Sequence, residues 1–172
     1  HRDKMVLTGK TIGIIGAGEI GSRVAAVAQS LGLKTILNDP PRARTEGAEA
    51  FSSLKEIRQN ADFITLHVPL IFDGVDKTYH LLDDDFFGKL QKPVVLINSS
   101  RGAVLHTEVL KRNVQNGKIK NLVLDVWENE PAIDRELLAM ADIATPHIAG
   151  YSLQGKANAT AMVVNATAGF FK

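Results

Sequence analysis

Three side chains, far apart in the chain, carry the chemistry this sequence offers. They are Arg101 in Asn98-Ser99-Ser100-Arg101-Gly102, Glu130 just before Pro131, and His147 in Thr145-Pro146-His147-Ile148-Ala149-Gly150. A guanidinium is a planar fork that clamps a carboxylate through paired hydrogen bonds, which an ammonium cannot do. An imidazole exchanges protons near neutral pH, and an adjacent carboxylate orients the ring and stabilises its imidazolium. Singly, each residue has a plainer reading: Arg101 as a surface cation beside a turn, Glu130 as a solvated acid, His147 as a core histidine held by backbone. Together they spell an acid–base dyad, Glu130 with His147, next to a carboxylate clamp.

A fourth group concerns an anion. Thr11 to Gly21 reads Thr-Ile-Gly-Ile-Ile-Gly-Ala-Gly-Glu-Ile-Gly. A short β-branched run thus enters G-x-G-x-x-G at Gly16, Gly18 and Gly21, and an Ala- and Val-rich helix over 22–31 follows. Gly16 permits the tight turn, Gly18 lets backbone approach a pyrophosphate, and Gly21 lets the helix pack close to the sheet. A second strand follows at 34–37, and Asp39 stands at its end, eighteen residues past Gly21. A carboxylate there accepts hydrogen bonds from an adenosine ribose. The context is that of a dinucleotide site.

These residues need elements to position them. Beyond Asp39, Pro40 and Pro41 forbid further strand pairing and force a turn, and a charged loop is expected over 42–47. A helix is expected over 54–60 and a strand over 62–68, stopped by Pro69 and ending near His67, which is placed in the cofactor pocket. Loop character is expected over 70–82, with a turn signal at Asp73-Gly74. A short helix opens at Asp83, Asp84 and Asp85, where acids suit the positive end of the dipole. Strand four is expected over 93–98, a helix over 107–115 capped near Gly117, strand five over 121–126, strand six over 142–145, and a helix over 151–171. His1, His80 and His106 read as loop or helix-start residues. Alternating apolar strands and helices imply parallel strands with right-handed crossovers. The expected fold is therefore α/β: a Rossmann-type doubly wound parallel sheet, three-layer α/β/α, in a single domain. In such sheets ligands bind outside the carboxyl ends of the strands. Arg101, Glu130 and His147 each follow a strand.

Composition narrows the function classes. The 172 residues are 45% hydrophobic and 23% charged, with a formal net charge of +1. That balance offers no electrostatic case for nucleic acid or an anionic membrane surface. Cysteine is absent, which excludes disulfides, thiolate metal sites and cysteine nucleophiles. No metal site is expected, because no second histidine or acid stands at ligand spacing. No apolar run is long enough to span a bilayer.

The G-x-G-x-x-G, the Asn-Ser-Ser-Arg-Gly segment, Glu130-Pro131 and Thr-Pro-His-Ile-Ala-Gly, in that order, resemble the NAD-dependent D-isomer specific 2-hydroxyacid dehydrogenases. Asn38-Asp39-Pro40-Pro41-Arg42, Lys77-Thr78-Tyr79-His80-Leu81 in the longer loop, Leu124-Asp125-Val126-Trp127-Glu128 and His147-Ile148-Ala149-Gly150-Tyr151 are most similar to a branch acting on a small phosphorylated hydroxy acid in pyridoxal phosphate biosynthesis. The resemblance implies Arg101, Glu130 and His147 as catalytic residues and NAD as cofactor. It implies that Gly16, Gly18, Glu19, Ile20, Gly21, Asp39, Ser99, Ser100, Arg101, Asp125 and Gly150 line the cofactor site. Arg101 and Tyr151 then touch substrate. It further implies a cytoplasmic homodimer in the full-length enzyme. Family members insert this domain between two halves of a substrate domain, and the branch adds a C-terminal dimerisation domain. Residues 1–172 therefore read as the cofactor domain of a longer enzyme.

The implied reaction is reversible hydride transfer, with His147 taking the hydroxyl proton and Arg101 binding the substrate carboxylate. Two alternatives stay open. A non-catalytic NAD-sensing module would keep the glycines and Asp39 without needing the dyad. Another D-2-hydroxyacid dehydrogenase, for phosphoglycerate, glycerate or lactate, would share every catalytic residue.

Overall fold

The computed structural model describes residues 6–150 and 152–170. Strands are β1 (Thr11–Ile15), β2 (Lys34–Asn38), β3 (Phe63–Leu66), β4 (Val94–Asn98), β5 (Ile119–Leu124) and β6 (Ile143–Ala144). Helices are α1 (Glu19–Ser30), α2 (Pro40–Glu46), α3 (Leu54–Asn60), α4 (Asp84–Gly88), α5 (Thr107–Gln115), α6 (Arg135–Met140) and α7 (Leu153–Phe170). The strands form one sheet in the order β2-β1-β3-β4-β5-β6, and every pairing is parallel. This is the doubly wound α/β sheet expected from the alternation of strands and helices.

Alternate residues of β1 face opposite layers, as the two-residue period of a strand requires. Ile12 and Ile14 pack with Ala25 and Ala28 of α1 and with Leu33. Gly13 lies against Ile57 of α3, whose side chain would be 2.7 Å from an added Cβ. Ile15 joins a larger cluster with Ile57, Phe86 and Phe87 of α4, Leu110 of α5 and Leu137 of α6. With helices on both faces, central strands are buried on both sides and read as unbroken apolar runs. Ile64, Leu66, Leu96 and Leu122 are all essentially inaccessible.

The register fixes where the chemistry stands. Asn38 pairs with Ile15, Ile15 with Leu66, Leu66 with Asn98, Asn98 with Leu124, and Leu124 with Ala144. These are the last residues of all six strands, so the segments that follow them leave the sheet along one rim. The strand order switches direction between β1 and β3, which opens a crevice at that point of the rim.

Several element boundaries differ from the sequence reading, among them β3, which ends at Leu66 before His67, and β6, which is two residues long. The expected charged loop at 42–47 is largely α2: Asp39 caps it by accepting from the Arg42 N–H at 3.1 Å. Pro40 and Pro41 fill the first helical positions, where a missing N–H is harmless. Helix α6, unexpected between strands five and six, is capped by Asp134, which accepts from the Leu137 N–H at 2.7 Å. At six residues it is too short to show helical periodicity. Helix α1 starts at Glu19 rather than Ser22, because Gly18 is its N-cap. Strand β5 runs two residues earlier than expected, since buried Ile119 joins it. Asp125 and Val126 are thereby released into the rim. Helix α7 is solvent-exposed along its described side chains, Leu153, Met162 and Phe170 among them.

Candidate active site

The glycine loop is shaped by close approach. Gly16 has φ 88°, and a Cβ there would lie 2.6 Å from the His67 carbonyl oxygen. At Gly21 an added Cβ would lie 1.9 Å from the Gly16 carbonyl oxygen, so α1 seats against the loop only without a side chain. At Gly18 a Cβ would meet nothing within 4 Å. Protein packing does not require that glycine. Open space over the N-cap of a twelve-residue helix is what an anionic ligand needs.

Asp39 sits where β2 turns into α2. One carboxylate oxygen accepts from the Ala17 N–H at 2.9 Å, the other from Arg42 N–H. Each oxygen keeps acceptor capacity after those bonds. Asp39, Gly16, Gly18, His67, Pro69 and Thr78 line a cavity of about 240 Å³ at the β1–β3 crevice. His67 Nε2 lies 3.0 Å from the Thr65 hydroxyl, and burial pushes its pKa below the ordinary histidine value. The walls are mainly apolar, with a few polar groups converging, as in nucleotide sites generally.

The second half of the rim is built around Asn98 and Asp125. The Asn98 side chain accepts from the Ser100 N–H at 3.0 Å and hydroxyl at 2.8 Å, and donates to the Arg101 carbonyl at 3.0 Å. This shapes the turn that carries Arg101, whose side chain stays at the surface and donates to the Ser100 carbonyl at 2.7 Å. Gly102 presses the turn onto the next segment, since a Cβ there would lie 1.9 Å from the Trp127 carbonyl oxygen.

His147 and Glu130 meet: Nδ1 lies 2.7 Å from Glu130 Oε2, while Glu130 Oε1 accepts from the Trp127 N–H at 2.7 Å. Seventeen residues of sequence separate the pair, and backbone hydrogen bonds close the gap. The His147 N–H donates to the Asp125 carbonyl at 2.7 Å, and the Trp127 indole donates to the Thr145 carbonyl at 3.0 Å. The Asp125 carboxylate, 7% exposed, accepts from the Thr145 hydroxyl at 2.6 Å and from the Ile148 and Ala149 N–H groups at 2.9 and 3.0 Å. Burial acts to raise its pKa. The hydrogen bonds and the nearby His147 outweigh this and hold it below the ordinary aspartate value. His147 takes a left-handed backbone, φ 54°, within this ring of bonds.

The site residues read from sequence divide accordingly. Gly16, Gly18, Asp39 and His67 share one cavity, and Glu130, His147 and Asp125 form one network. Ser99, Ser100 and Arg101 stand between them on the β4 end of the rim. Glu19 and Ile20 are on the first turn of α1 and exposed; Glu19 pairs with Arg23 at 2.5 Å. Gly150 is exposed with open space around it, and Tyr151 lies outside the described residues. The structure adds Asn98, Thr145 and a second His–Glu pair as partners that sequence patterns do not single out. His80 Nε2 lies 2.6 Å from Glu128 Oε1, while Glu128 Oε2 accepts from the Thr107 N–H at 2.9 Å. His80 is stacked on Tyr79 and stands edge-on to His106. That pair ties the 70–82 segment to the loop after β5.

Residues 1–149 match the family described as "D-isomer specific 2-hydroxyacid dehydrogenase, NAD binding domain". The chain belongs to that family. The erythronate-4-phosphate dehydrogenase of Bacteroides thetaiotaomicron is 53% identical over 161 residues, covering 94% of this chain and 46% of that protein. The Escherichia coli enzyme of the same name is 46% identical over 170 residues, covering 99% of this chain and 45% of that one. The chain spans about half the length of these relatives. Among solved structures, a D-lactate dehydrogenase from Aquifex aeolicus complexed with NAD and lactic acid is 34% identical with a TM-score of 0.73, over 92% of this chain and 53% of that one. A glyoxylate reductase from Paecilomyes thermophila is 30% identical with a TM-score of 0.78, over 94% and 49%.

The cofactor of this D-2-hydroxyacid dehydrogenase domain is NAD. The open N-cap at Gly18, the spare acceptors of Asp39 and the cavity beside them fit a pyrophosphate with its adenosine. Among the described residues no cluster of three or more His, Asp or Glu could hold a metal ion, and no helix is long and apolar enough to cross a membrane.

Proposed function

We propose that residues 1–172 are the NAD-binding, catalytic-residue-bearing domain of a 4-phosphoerythronate dehydrogenase. Such an enzyme oxidises 4-phospho-D-erythronate to 2-oxo-3-hydroxy-4-phosphobutanoate in pyridoxal phosphate biosynthesis. The observation that carries the reading is the 2.7 Å His147–Glu130 contact on the same rim as Arg101 and the glycine loop. The choice of substrate rests on relatives of that name at 53% and 51% identity, against 34% or less for the lactate and glyoxylate enzymes compared.

When bound, NAD supplies the hydride acceptor. The remaining tasks fall to the chain. Arg101 clamps the substrate carboxylate and polarises the oxygen on C2. With Nδ1 committed to Glu130, the proton of the C2 hydroxyl passes to His147 Nε2 as hydride leaves C2, so the alcohol loses one hydride and one proton and becomes a ketone. Glu130 fixes the tautomer and balances the imidazolium that forms. The Trp127 N–H bond to Oε1 aims Oε2 at the ring.

In this reading the substrate and dimerisation domains lie elsewhere in a longer, cytoplasmic, homodimeric enzyme, and Tyr151 touches the phosphorylated substrate. The chain alone should bind NAD and turn over no hydroxy acid, because positioning by a second domain supplies about 7–11 kcal/mol of such a barrier. A substrate panel on the full-length enzyme, with nicotinamide absorbance as readout, tests the assignment. Preference for lactate, glycerate or phosphoglycerate over 4-phosphoerythronate overturns the substrate. Absence of turnover with any hydroxy acid, alongside intact NAD binding, favours a sensing module.

A further inference from the structure

The corner that holds Asp39 also holds two arginines, and the structure shows how each is occupied. Arg42 is gripped by Glu46 through two parallel bonds: Nε to Oε1 at 2.7 Å and Nη2 to Oε2 at 2.5 Å. Its Nη1 donates to the Ala17 carbonyl and lies 3.4 Å from the Ser22 hydroxyl, and its guanidinium sits 5.2 Å from the centre of the Phe51 ring. Ala17 is thus held at both ends of one residue, its N–H by Asp39 and its carbonyl by Arg42. Arg44 pairs with Asp76 at 2.5 Å, and Asp76 lines the adenosine cavity. Lys77, the remaining cation on that wall, lies 5.7 Å from the centre of the Tyr79 ring.

An arginine three residues past the carboxylate that faces a ribose is well placed to accept a 2′-phosphate. Here the corner presents three carboxylates, Asp39, Glu46 and Asp76, against two guanidiniums. An incoming dianion would meet guanidiniums already paired, Arg44 with Asp76 and the Arg42 fork filled by Glu46. Donating to Glu46 pushes the Arg42 pKa above its ordinary value, and the Arg42 fork pulls that of Glu46 below its own, so both stay charged. An exposed i,i+4 pair contributes little to stability, so its weight in a folding argument is small.

We propose that Glu46 is a second determinant of cofactor choice, acting with Asp39 through Arg42 to exclude dinucleotides whose adenosine ribose carries a 2′-phosphate. Asp39 answers the ribose hydroxyls directly. Glu46 touches no ligand; it occupies Arg42, the cation three residues past Asp39, and is a positioning residue in that sense. This rests on NAD being the cofactor of the domain.

The test is fluorescence titration of the chain with NADH and with NADPH, comparing wild type, Glu46→Gln, and Glu46→Gln combined with Arg42→Ala. Freeing one guanidinium for a charge-assisted hydrogen bond should tighten NADPH roughly 10- to 100-fold, with NADH within about twofold of wild type. The double variant should lose that gain. The quantity read is the ratio of the two affinities, which a merely structural role of Glu46 would not move. Equal changes for both dinucleotides, or no tightening of NADPH while NADH still binds, would overturn the proposal. Failure of wild type to bind NADH would instead overturn the assignment of the cofactor site, a result distinct from either. Circular dichroism and melting temperature confirm that each variant is folded before its ratio is compared.

Discussion

Replacing Gly102 by alanine isolates the contact that joins the Arg101 turn to the dyad. An added Cβ would stand 1.9 Å from the Trp127 carbonyl oxygen, 2.0 Å from its carbon and 2.5 Å from the Glu128 nitrogen. All three atoms are backbone, so no side chain can swing aside. Contacts under 3.0 Å are essentially never tolerated, so the two segments must part by about 1.1 Å. Trp127 N–H holds Glu130, and Glu130 holds His147, so the shift separates the clamp from the base. Misplacement of about 1 Å can cost on the order of 10²-fold in rate. Overpacking of this kind costs about 1–3 kcal/mol, which for a domain of this size lowers the melting temperature by roughly 2–12 °C. The glycine loop and Asp39 lie at the other end of the rim. Gly102→Ala in the full-length enzyme should therefore lose about 10²-fold in kcat while the dissociation constant for NAD stays within a few-fold. Turnover and NAD titration at a temperature well below the variant's melting point measure the two effects separately. Unchanged kcat would refute the idea that this contact sets the geometry, and equal loss of both would mean that the damage is global.

Asp39→Asn should weaken NAD by a charge-assisted hydrogen bond, about 1.5–3 kcal/mol, and NADP far less; equal losses in parallel titrations would remove Asp39 as the ribose acceptor. His147→Ala in the full-length enzyme should lower kcat by roughly 10²–10⁴-fold with NAD binding intact. Glu130→Gln keeps a hydrogen-bonding group beside the ring but loses the charge that balances an imidazolium, so kcat should fall while KM for NAD holds, as steady-state kinetics would show. For Asp125 the folded pKa lies below the unfolded value of about 3.9, so its contribution is complete above that pH and lost as pH falls through the folded value. Wild type and Asp125→Asn should accordingly differ in melting temperature at pH 7, with the gap starting to close below about pH 4 and narrowing as pH falls through the folded value; a constant gap would place the stabilisation elsewhere.

The sequence alone determined the architecture and the chemical inventory. The β-branched run into G-x-G-x-x-G, the Asp39 that follows the second strand and the alternation of strands with helices specify a parallel sheet with its chemistry at one end, because period and turn chemistry are local properties. Thr107–Gln115 and Leu54–Asn60 were legible to the residue, since capping and apolar spacing agree there. Helix α2 was not, because two prolines and a charged run read as a loop until the Asp39 cap and the Arg42–Glu46 pair are seen in space. Helix α6 was too short to announce itself. The sequence placed Arg101, Glu130 and His147 after strands on one rim and paired the last two; the 2.7 Å contact of that pair came from backbone hydrogen bonds between distant segments, a property of packing. Asp125 shows the division most clearly. As one acid among many at the end of a strand it carries no signal of its own. Only the tertiary structure, by burying it where the 145–149 loop returns with a hydroxyl and two N–H groups to satisfy, makes it the group that holds His147 in place.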